Sequence, residues 1–206
     1  MKVKVKICGL KTDAEAEDAV EAGADLVGLN FVSDSKRFID LKTAKKLSRQ
    51  LEGRVERVGL FRDESRSKIL EILDSVPLDR VQFHGRESPE FVAEFSIPKI
   101  KAIAGADLKT ARMYPDSLIL VDHPADVPGD GREWEWSGVT SILEEGFPVM
   151  LAGGLNPENI EAALSSFQKV LPGGVDVASG VELDGRKDLD RMKAFVDSIR
   201  ALEAEF

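Results

Sequence analysis

The chain has 206 residues, 43% hydrophobic and 32% charged, and its 28 Lys and Arg against 37 Asp and Glu give a formal net charge of −9. This size fits one domain with a substantial core. The acidic balance argues against general binding to nucleic acid or membrane surfaces, but it leaves room for a local pocket for a phosphorylated metabolite. A single cysteine excludes an internal disulfide and a cysteine-rich zinc site. Without a signal-peptide pattern or a membrane-length apolar run, we expect a soluble cytoplasmic protein.

Short apolar runs, separated by helical patterns, recur along the chain. In the first run, Val3, Val5 and Ile7 alternate with lysines, which is the period-two pattern of a strand with one buried face. The later runs are short and bounded by turn residues, as buried strands are. The predicted strands are Val3–Cys8, Leu26–Phe31, Arg57–Phe61, Arg80–Phe83, Ile100–Ile103, Leu118–Asp122, Val149–Ala152 and Val175–Val177.

Helix start signals follow several of these strands. Thr12–Glu15 has the capping-box pattern and predicts a helix that runs to Ala22 and stops at Gly23. Ser88 and Asn156 each precede a proline, which predicts a capped helix start at both positions. Two more predicted helices are one that begins at Asp107 and includes Leu108, Ala111 and Met113, and one from about Lys187 to Glu205.

Strands that alternate with helices along the whole chain predict a parallel sheet with helical crossovers. An open doubly wound sheet and a closed barrel both fit this order. Eight similar units in series favour the closed barrel, so we expect an α/β protein with a single (β/α)8, or TIM-barrel, domain over residues 1–206. In such a barrel the reactive groups lie where strands end and loops begin.

Two reactive side chains, Cys8 and Asp122, end predicted strands. Position alone favours a small buried side chain for Cys8, and the alternative is a base that removes a proton from carbon, with Lys6 or a helix N-terminus stabilising its thiolate. Asp122 follows four apolar residues. It fits either a turn carboxylate or a partly desolvated acid whose pKa is raised by burial.

Glycines gather after the last two predicted strands. Gly153 and Gly154 follow the seventh strand, and Ser179 and Gly180 follow the eighth. Glycines at these positions would expose backbone N–H groups to an anion, and barrels of this class bind phosphate at the same two loops. Either loop alone could be a tight turn, but the two together predict a phosphorylated substrate.

Other polar residues at the predicted strand ends have less specific meaning. Gln82 and His84 share one face, where a hydrogen-bonded core histidine is as consistent as a binding residue, and they give poor evidence for a metal. Arg37 is the best candidate to pair with a substrate carboxylate, with a solvated loop cation as the alternative. The loop that contains Trp134 and Trp136 is predicted to be a mobile flap, which the two tryptophans pack down.

Six segments in collinear order between Lys6 and Asp188 carry a family resemblance: KICGL at 6–10, SKRFI at 35–39, VQFHG at 81–85, LVD at 120–122, AGGLNPENI at 152–160 and DVASGVE at 176–182. Together they closely resemble phosphoribosylanthranilate isomerase of tryptophan biosynthesis. The resemblance implies a (β/α)8 barrel that converts N-(5-phosphoribosyl)anthranilate to 1-(2-carboxyphenylamino)-1-deoxyribulose 5-phosphate. This reaction is an Amadori rearrangement, and in this family it needs no metal and no organic cofactor.

The resemblance also implies roles for single residues. Asp122 would protonate the furanose ring oxygen, Cys8 would remove the proton from C2, and Arg37 would hold the anthranilate carboxylate. The chain departs from the family at Glu135 and its two tryptophan neighbours, where Phe-Asp-Trp is common, and at Ala178, where many relatives have serine. The remaining positions that match are Gly153, Gly154, Ser179 and Gly180 around the phosphate, and Gln82, His84 and Asp176 along the substrate pocket.

Two alternatives stay open at this stage. A histidine-pathway sugar isomerase, or a dual-substrate enzyme, would run the same rearrangement on a larger substrate with two phosphates, but an aspartate stands at the position of Cys8 in that family. A catalytically silent barrel would keep the glycine loops and would have no reason to retain Cys8 and Asp122 together. We expect a small phosphorylated substrate as the partner, with no nucleic acid and no membrane, and a chain that is a monomer or a homodimer.

Overall fold

The computed structural model describes residues 2–123, 138–167 and 170–204. In these ranges eight parallel strands form a closed barrel in chain order, with the first strand paired to the eighth. The predicted fold class is confirmed, and each predicted strand end lies within one residue of the observed end. The strands are β1 (Lys4–Cys8), β2 (Leu26–Asn30), β3 (Glu56–Phe61), β4 (Arg80–Phe83), β5 (Lys99–Ala104), β6 (Ser117–Asp122), β7 (Val149–Leu151) and β8 (Gly174–Val177).

Helices follow the strands and cover the outside of the barrel. In the ranges given above, no helix is both long and apolar enough to cross a lipid bilayer. A short 3₁₀ segment (Ser179–Val181) and a small hairpin of β9 (Glu182–Leu183) and β10 (Arg186–Lys187) follow β8. The helices are α1 (Asp13–Glu21), α2 (Leu41–Gln50), α3 (Arg66–Ser75), α4 (Pro89–Ala93), α5 (Leu108–Ala111), α6 (Val139–Glu144), α7 (Ile160–Ser165) and α8 (Leu189–Glu203).

Most of the predicted helix starts are confirmed. The Thr12 hydroxyl accepts a hydrogen bond from the Glu15 backbone N–H, and the Glu15 carboxylate accepts one from the Thr12 N–H, so the capping box of α1 is complete. Ser88 caps α4 directly before its proline, and Asp107 caps α5. Helix α5 is shorter than predicted and ends before Met113.

The prediction that Asn156 caps the seventh helix is wrong. Helix α7 begins four residues later, at Ile160, after Asn159. The Asn156 side-chain oxygen instead accepts the backbone N–H groups of Glu158 and Asn159, both at 2.9 Å, and so closes a separate turn. An asparagine that satisfies its own turn in this way leaves the helix to start further along the chain.

The expectation that the first strand has one buried face is also wrong, because a closed barrel buries both faces of its strands. Val5 and Ile7 pack outward among the residues that contact the helices. Lys6 faces the interior, where its side chain is 0% exposed and its Nζ lies 2.7 Å from an Asp176 oxygen. The apolar residues of the inner layer are Leu26, Val58, Ile100, Ala102, Leu120, Met150 and Ala152.

A second buried ion pair fixes the loop that follows β4. The Lys101 Nζ on β5 lies 2.9 Å from a Glu87 oxygen and donates to the Gly85 carbonyl at 2.6 Å. The Glu87 carboxylate also accepts the backbone N–H groups of Gly85 and Asp63. Both charged side chains are 3% exposed, so the pair is shielded from solvent and from salt.

The substitution Lys101→Met tests the contribution of this pair. It leaves the Glu87 carboxylate buried without a cation, so we expect the free energy of unfolding in urea to fall by about 3 kcal/mol or more. Lys68→Met is the matched control, because Lys68 pairs with Glu71 on the exposed face of α3 and its loss should leave the unfolding midpoint unchanged. Equal effects of the two substitutions would contradict a structural role for the buried pair.

Candidate active site

The carboxyl ends of the strands surround a cavity of about 600 Å³. This is the end at which barrels of this class build their active sites. Gln82 is the one predicted site residue that does not reach the cavity wall, because its side chain is fully buried at the end of β4. The predicted residues that do line the cavity are Cys8, Arg37, His84, Asp122, Gly153, Gly154, Asp176, Ser179 and Gly180.

Cys8 lies at the end of β1 with only 5% of its surface exposed. The neighbouring residue on β2 is Gly28, and a Cβ atom there would lie 2.6 Å from the Cys8 sulfur, so the glycine makes room for the thiol. Burial raises the pKa of the Cys8 thiol, and the Lys6 ammonium, which favours the thiolate, only partly offsets it. As the sequence predicts, Lys6 favours the Cys8 thiolate, but its effect on the pKa is smaller than that of burial.

Asp122 lies at the end of β6, held by two hydrogen bonds. One carboxylate oxygen lies 3.1 Å from the Nε2 of His84, and the other accepts the backbone N–H of His123 at 2.7 Å. Burial alone would raise the pKa of Asp122, but the contacts with His84 and His123 outweigh it and hold the pKa below its ordinary value. The raised pKa expected from the apolar strand is therefore wrong, since the strand pattern does not reveal these partners.

Gln82 contacts the side of the His84 ring that faces away from Asp122. Its side-chain Nε2 is 3.0 Å from the Nδ1 of His84, and its Oε1 is buried with no hydrogen-bond partner among the described residues. Since an amide N–H can only donate, Nδ1 accepts in this arrangement, and Nε2 carries the imidazole proton toward Asp122. Asp122, His84 and Gln82 therefore form one hydrogen-bonded row that leads from the cavity into the barrel.

Arg37 enters the cavity from the loop after β2, and Glu182 holds it there. The Arg37 Nε lies 2.6 Å from Oε1 of Glu182, and its Nη2 lies 3.0 Å from Oε2. The Nζ of Lys187 lies 3.0 Å from the same Oε1. Burial would raise the pKa of Glu182, but these two cations lower it to about 2. Gly9 has φ +85°, and the Arg37 side chain lies directly over it, where a Cβ atom would collide.

The sequence interpretation missed Glu182 and Lys187 as site residues. Glu182 is the last residue of the DVASGVE segment, and this position in the family pattern is the sequence feature that could have indicated it as a site residue. No sequence feature indicated Lys187, because it reaches Glu182 only through the hairpin of β9 and β10. The predicted flap with Trp134, Glu135 and Trp136 lies outside the described residues.

The two glycine loops lie against one another. Gly153 and Gly154 have φ angles of +87° and +73°, the left-handed region that favours glycine. A Cβ atom on Gly180 would collide with the Leu155 carbonyl oxygen, so the loop after β8 can approach the loop after β7 only because residue 180 is glycine. The cavity is thus lined at this end by backbone, as anion sites commonly are.

A thiol and a carboxylate from different strands, on the wall of one strand-end cavity, are typical of a (β/α)8-barrel enzyme that acts on a small substrate. Within the described ranges, no group of three or more His, Cys, Asp and Glu side chains is arranged to hold a metal ion. The family model described as N-(5'-phosphoribosyl)anthranilate (PRA) isomerase matches residues 5–198. The chain belongs to this family.

Individual relatives agree with this membership. The chain is 41% identical to N-(5'-phosphoribosyl)anthranilate isomerase of Pseudomonas aeruginosa, over 97% of this chain and 96% of the relative. A crystal structure of phosphoribosylanthranilate isomerase from Thermotoga maritima has a TM-score of 0.89 at 36% identity, over 97% of this chain and 99% of that one. Two further structures with the same identity and coverage show the enzyme in complex with reduced 1-(o-carboxyphenylamino)-1-deoxyribulose 5-phosphate, with a TM-score of 0.85, and monomers of the dimeric T. maritima enzyme, with 0.84.

The raised pKa of Cys8 can be measured directly, because Cys8 is the single thiol of the chain. We expect its alkylation by iodoacetamide to be at least about tenfold slower than that of a free thiol near neutral pH. The rate should rise with pH to a midpoint above the ordinary thiol value of 9.0. The same chain unfolded in urea is the control, and a folded midpoint at or below the unfolded one would contradict the effect of burial.

Proposed function

We propose that the chain isomerises N-(5-phosphoribosyl)anthranilate to 1-(2-carboxyphenylamino)-1-deoxyribulose 5-phosphate, with Asp122 as the general acid and Cys8 as the general base. The observation that carries this proposal is that both groups lie on the wall of the same cavity, on β6 and β1. An aldose-to-ketose rearrangement requires an acid and a base within reach of one sugar, and each contributes about 10²–10⁴-fold to the rate when well positioned.

Asp122 acts in the first step. Its proton passes to the furanose ring oxygen, the bond from that oxygen to C1 breaks, and the nitrogen lone pair forms a Schiff base with C1. Asp122 must therefore be protonated when substrate is bound, although His84 and His123 lower its pKa. Substrate that fills the cavity displaces water from the carboxylate, which favours the neutral acid.

Cys8 acts in the second step. Its thiolate takes the proton from C2, the electron pair of that C–H bond forms the C1–C2 double bond, and the Schiff-base nitrogen becomes neutral. The resulting enolamine then tautomerises to the ketone. Lys6 supports this step, because its buried ammonium favours the thiolate that burial disfavours. Asp176 pairs with Lys6 and so keeps that ammonium at the floor of the cavity.

The cavity also offers partners for both anionic ends of the substrate. Arg37 has five N–H donors and gives two of them to Glu182, which leaves donors for the anthranilate carboxylate. The backbone of the two glycine loops would hold the phosphate. The residues proposed there are Gly153, Gly154, Ser179 and Gly180.

We also propose that residues 1–206 form a single catalytic domain that works in the cytoplasm as a monomer or homodimer. The described elements from β1 to α8 belong to one closed barrel and the helices around it, and the one cysteine suits a reducing compartment. The net charge of −9 supports a small-molecule partner rather than nucleic acid. Light scattering of the purified chain distinguishes the two oligomeric states.

The substitutions Cys8→Ser and Asp122→Asn test the proposed acid and base. Each should lower kcat by about 10²–10⁴-fold with KM changed by no more than a few-fold, because each removes a proton transfer and keeps the shape of the cavity. The assay follows the loss of anthranilate fluorescence as the substrate is consumed. Near-normal kcat in either variant, or a change confined to KM, would contradict the assigned role.

The substitution Arg37→Ala tests the proposed carboxylate contact. We expect KM to rise by at least about tenfold, because a charge-assisted bidentate contact is lost, with a smaller effect on kcat. Lys36→Ala is the matched control, since the Lys36 side chain is 70% exposed and its Nζ lies 3.9 Å from Glu182. An unchanged KM in Arg37→Ala would remove that role from Arg37.

A further inference from the structure

A general acid needs a proton at working pH, and the contacts of Asp122 oppose this. His84 donates to its carboxylate and the backbone of His123 does the same, and both contacts favour the ionised form. A carboxylic acid ordinarily titrates near pH 4, whereas an imidazole titrates near 6.5. The row formed by Asp122, His84 and Gln82 joins these two kinds of group, and a proton can be held by the pair where the carboxyl group alone would lose it.

Gln82 can adapt to either protonation state of this pair. Among the described side chains its amide forms a hydrogen bond only with His84, and one of its two ends, Oε1, has no hydrogen-bond partner there. With the amide N–H on Nδ1, the imidazole proton lies on Nε2 and points at the Asp122 carboxylate. A half-turn of the amide places Oε1 on Nδ1, where it accepts a proton and leaves Nε2 free to accept one from Asp122.

We propose that His84 loads Asp122 with the proton that it gives to the substrate, and that Gln82 permits this by turning its amide. One proton is taken up from water and bonds to Nδ1, the Nε2–H bond breaks, and an O–H bond forms on Asp122. His84 stays neutral overall, Asp122 becomes a carboxylic acid, and Gln82 changes from donor to acceptor. This inference rests on the proposed role of Asp122 as the acid. His84 and Gln82 act through Asp122 and are positioning residues.

Several charged groups around the pair have ion-pair partners of their own. Arg62, which also lines the cavity, pairs with Asp34, and Lys101 on β5 pairs with Glu87. Across the cavity, Asp176 is paired with Lys6. A second, adjoining cavity is also lined by His84 and Asp122. The remaining titratable or charged residues that line either cavity are Cys8, Arg37, Asp63, Arg86 and His123.

The pH dependence of kcat in His84→Gln is the main test. A glutamine amide can still donate to Asp122, but it cannot take up a proton near neutral pH. We expect the alkaline limb of the kcat profile to move to lower pH by at least about one unit, with kcat reduced about tenfold at neutral pH, less at acid pH, and KM nearly unchanged. An unshifted limb, or the same loss of kcat at every pH, would overturn the proposal.

Gln82→Met provides the second variant, because methionine has a similar shape and no comparable donor or acceptor. We expect a shift of the alkaline limb in the same direction and of smaller size, and an unshifted limb would remove Gln82 from the proposal. Gln50→Met is the matched control. It makes the same change on α2, where the Gln50 amide donates hydrogen bonds to Glu17 and the Asp13 carbonyl, and it should leave the profile unchanged.

A spectroscopic measurement separates this proposal from the proposed function. The chain has two histidines, so the ¹⁵N resonances of His84 are identified by their loss in His84→Gln. Above neutral pH we expect the tautomer with the proton on Nε2, and the opposite tautomer would overturn the proposed row. If Asp122→Asn keeps its kcat, the acid assignment itself fails. If Asp122→Asn loses kcat while His84→Gln keeps the wild-type profile, only the loading role of His84 fails.

Discussion

The structure depends on the pairing of charge inside a closed barrel. Closure buries both faces of every strand, so a polar side chain that points inward must find its partner there. Lys6 on β1 and Asp176 on β8 form such a pair, and these are the two strands that close the barrel. An unpaired lysine at this depth would cost several kcal/mol, so the contact that satisfies it also favours closure at the correct register. The same ammonium lies beside Cys8 and favours its thiolate, so closure of the barrel and activation of the proposed base share one residue.

The two reactive groups are controlled by opposite means. Burial keeps the thiol of Cys8 protonated, and a neighbouring cation opposes that effect. Asp122 is held as a carboxylate by His84 and His123, and burial opposes them. In the proposed mechanism each group therefore rests in the form that does not react, and one local effect, the Lys6 charge for the thiol and burial for the carboxylate, favours the reactive form. In the same cavity, Glu182 holds Arg37 over Gly9, so the cation that is proposed to receive the substrate is already in place.

The sequence predicted the barrel well, because short apolar strands and capped helices are local patterns. Each strand end lies within one residue of its predicted position, and the capping box at Thr12 is complete. Strand-end positions also brought Cys8 and Asp122 to one cavity. What could not be predicted depends on contacts between distant parts of the chain. The alternating lysines of β1 suggested a solvated face, the apolar strand before Asp122 suggested a raised pKa, and Lys187 reaches the site only through a hairpin. In each case the deciding partner lies far away in sequence.

The burial of Cys8 has a consequence for the lifetime of the enzyme. Peroxides attack the thiolate and not the thiol, and only where the sulfur is accessible. With 5% of its surface exposed and its pKa raised, the Cys8 sulfur spends little time in the vulnerable form between turnovers. The chain has no other cysteine that could form a rescuing disulfide with an oxidised sulfur. The fold therefore protects the sulfur from oxidative damage by shielding it.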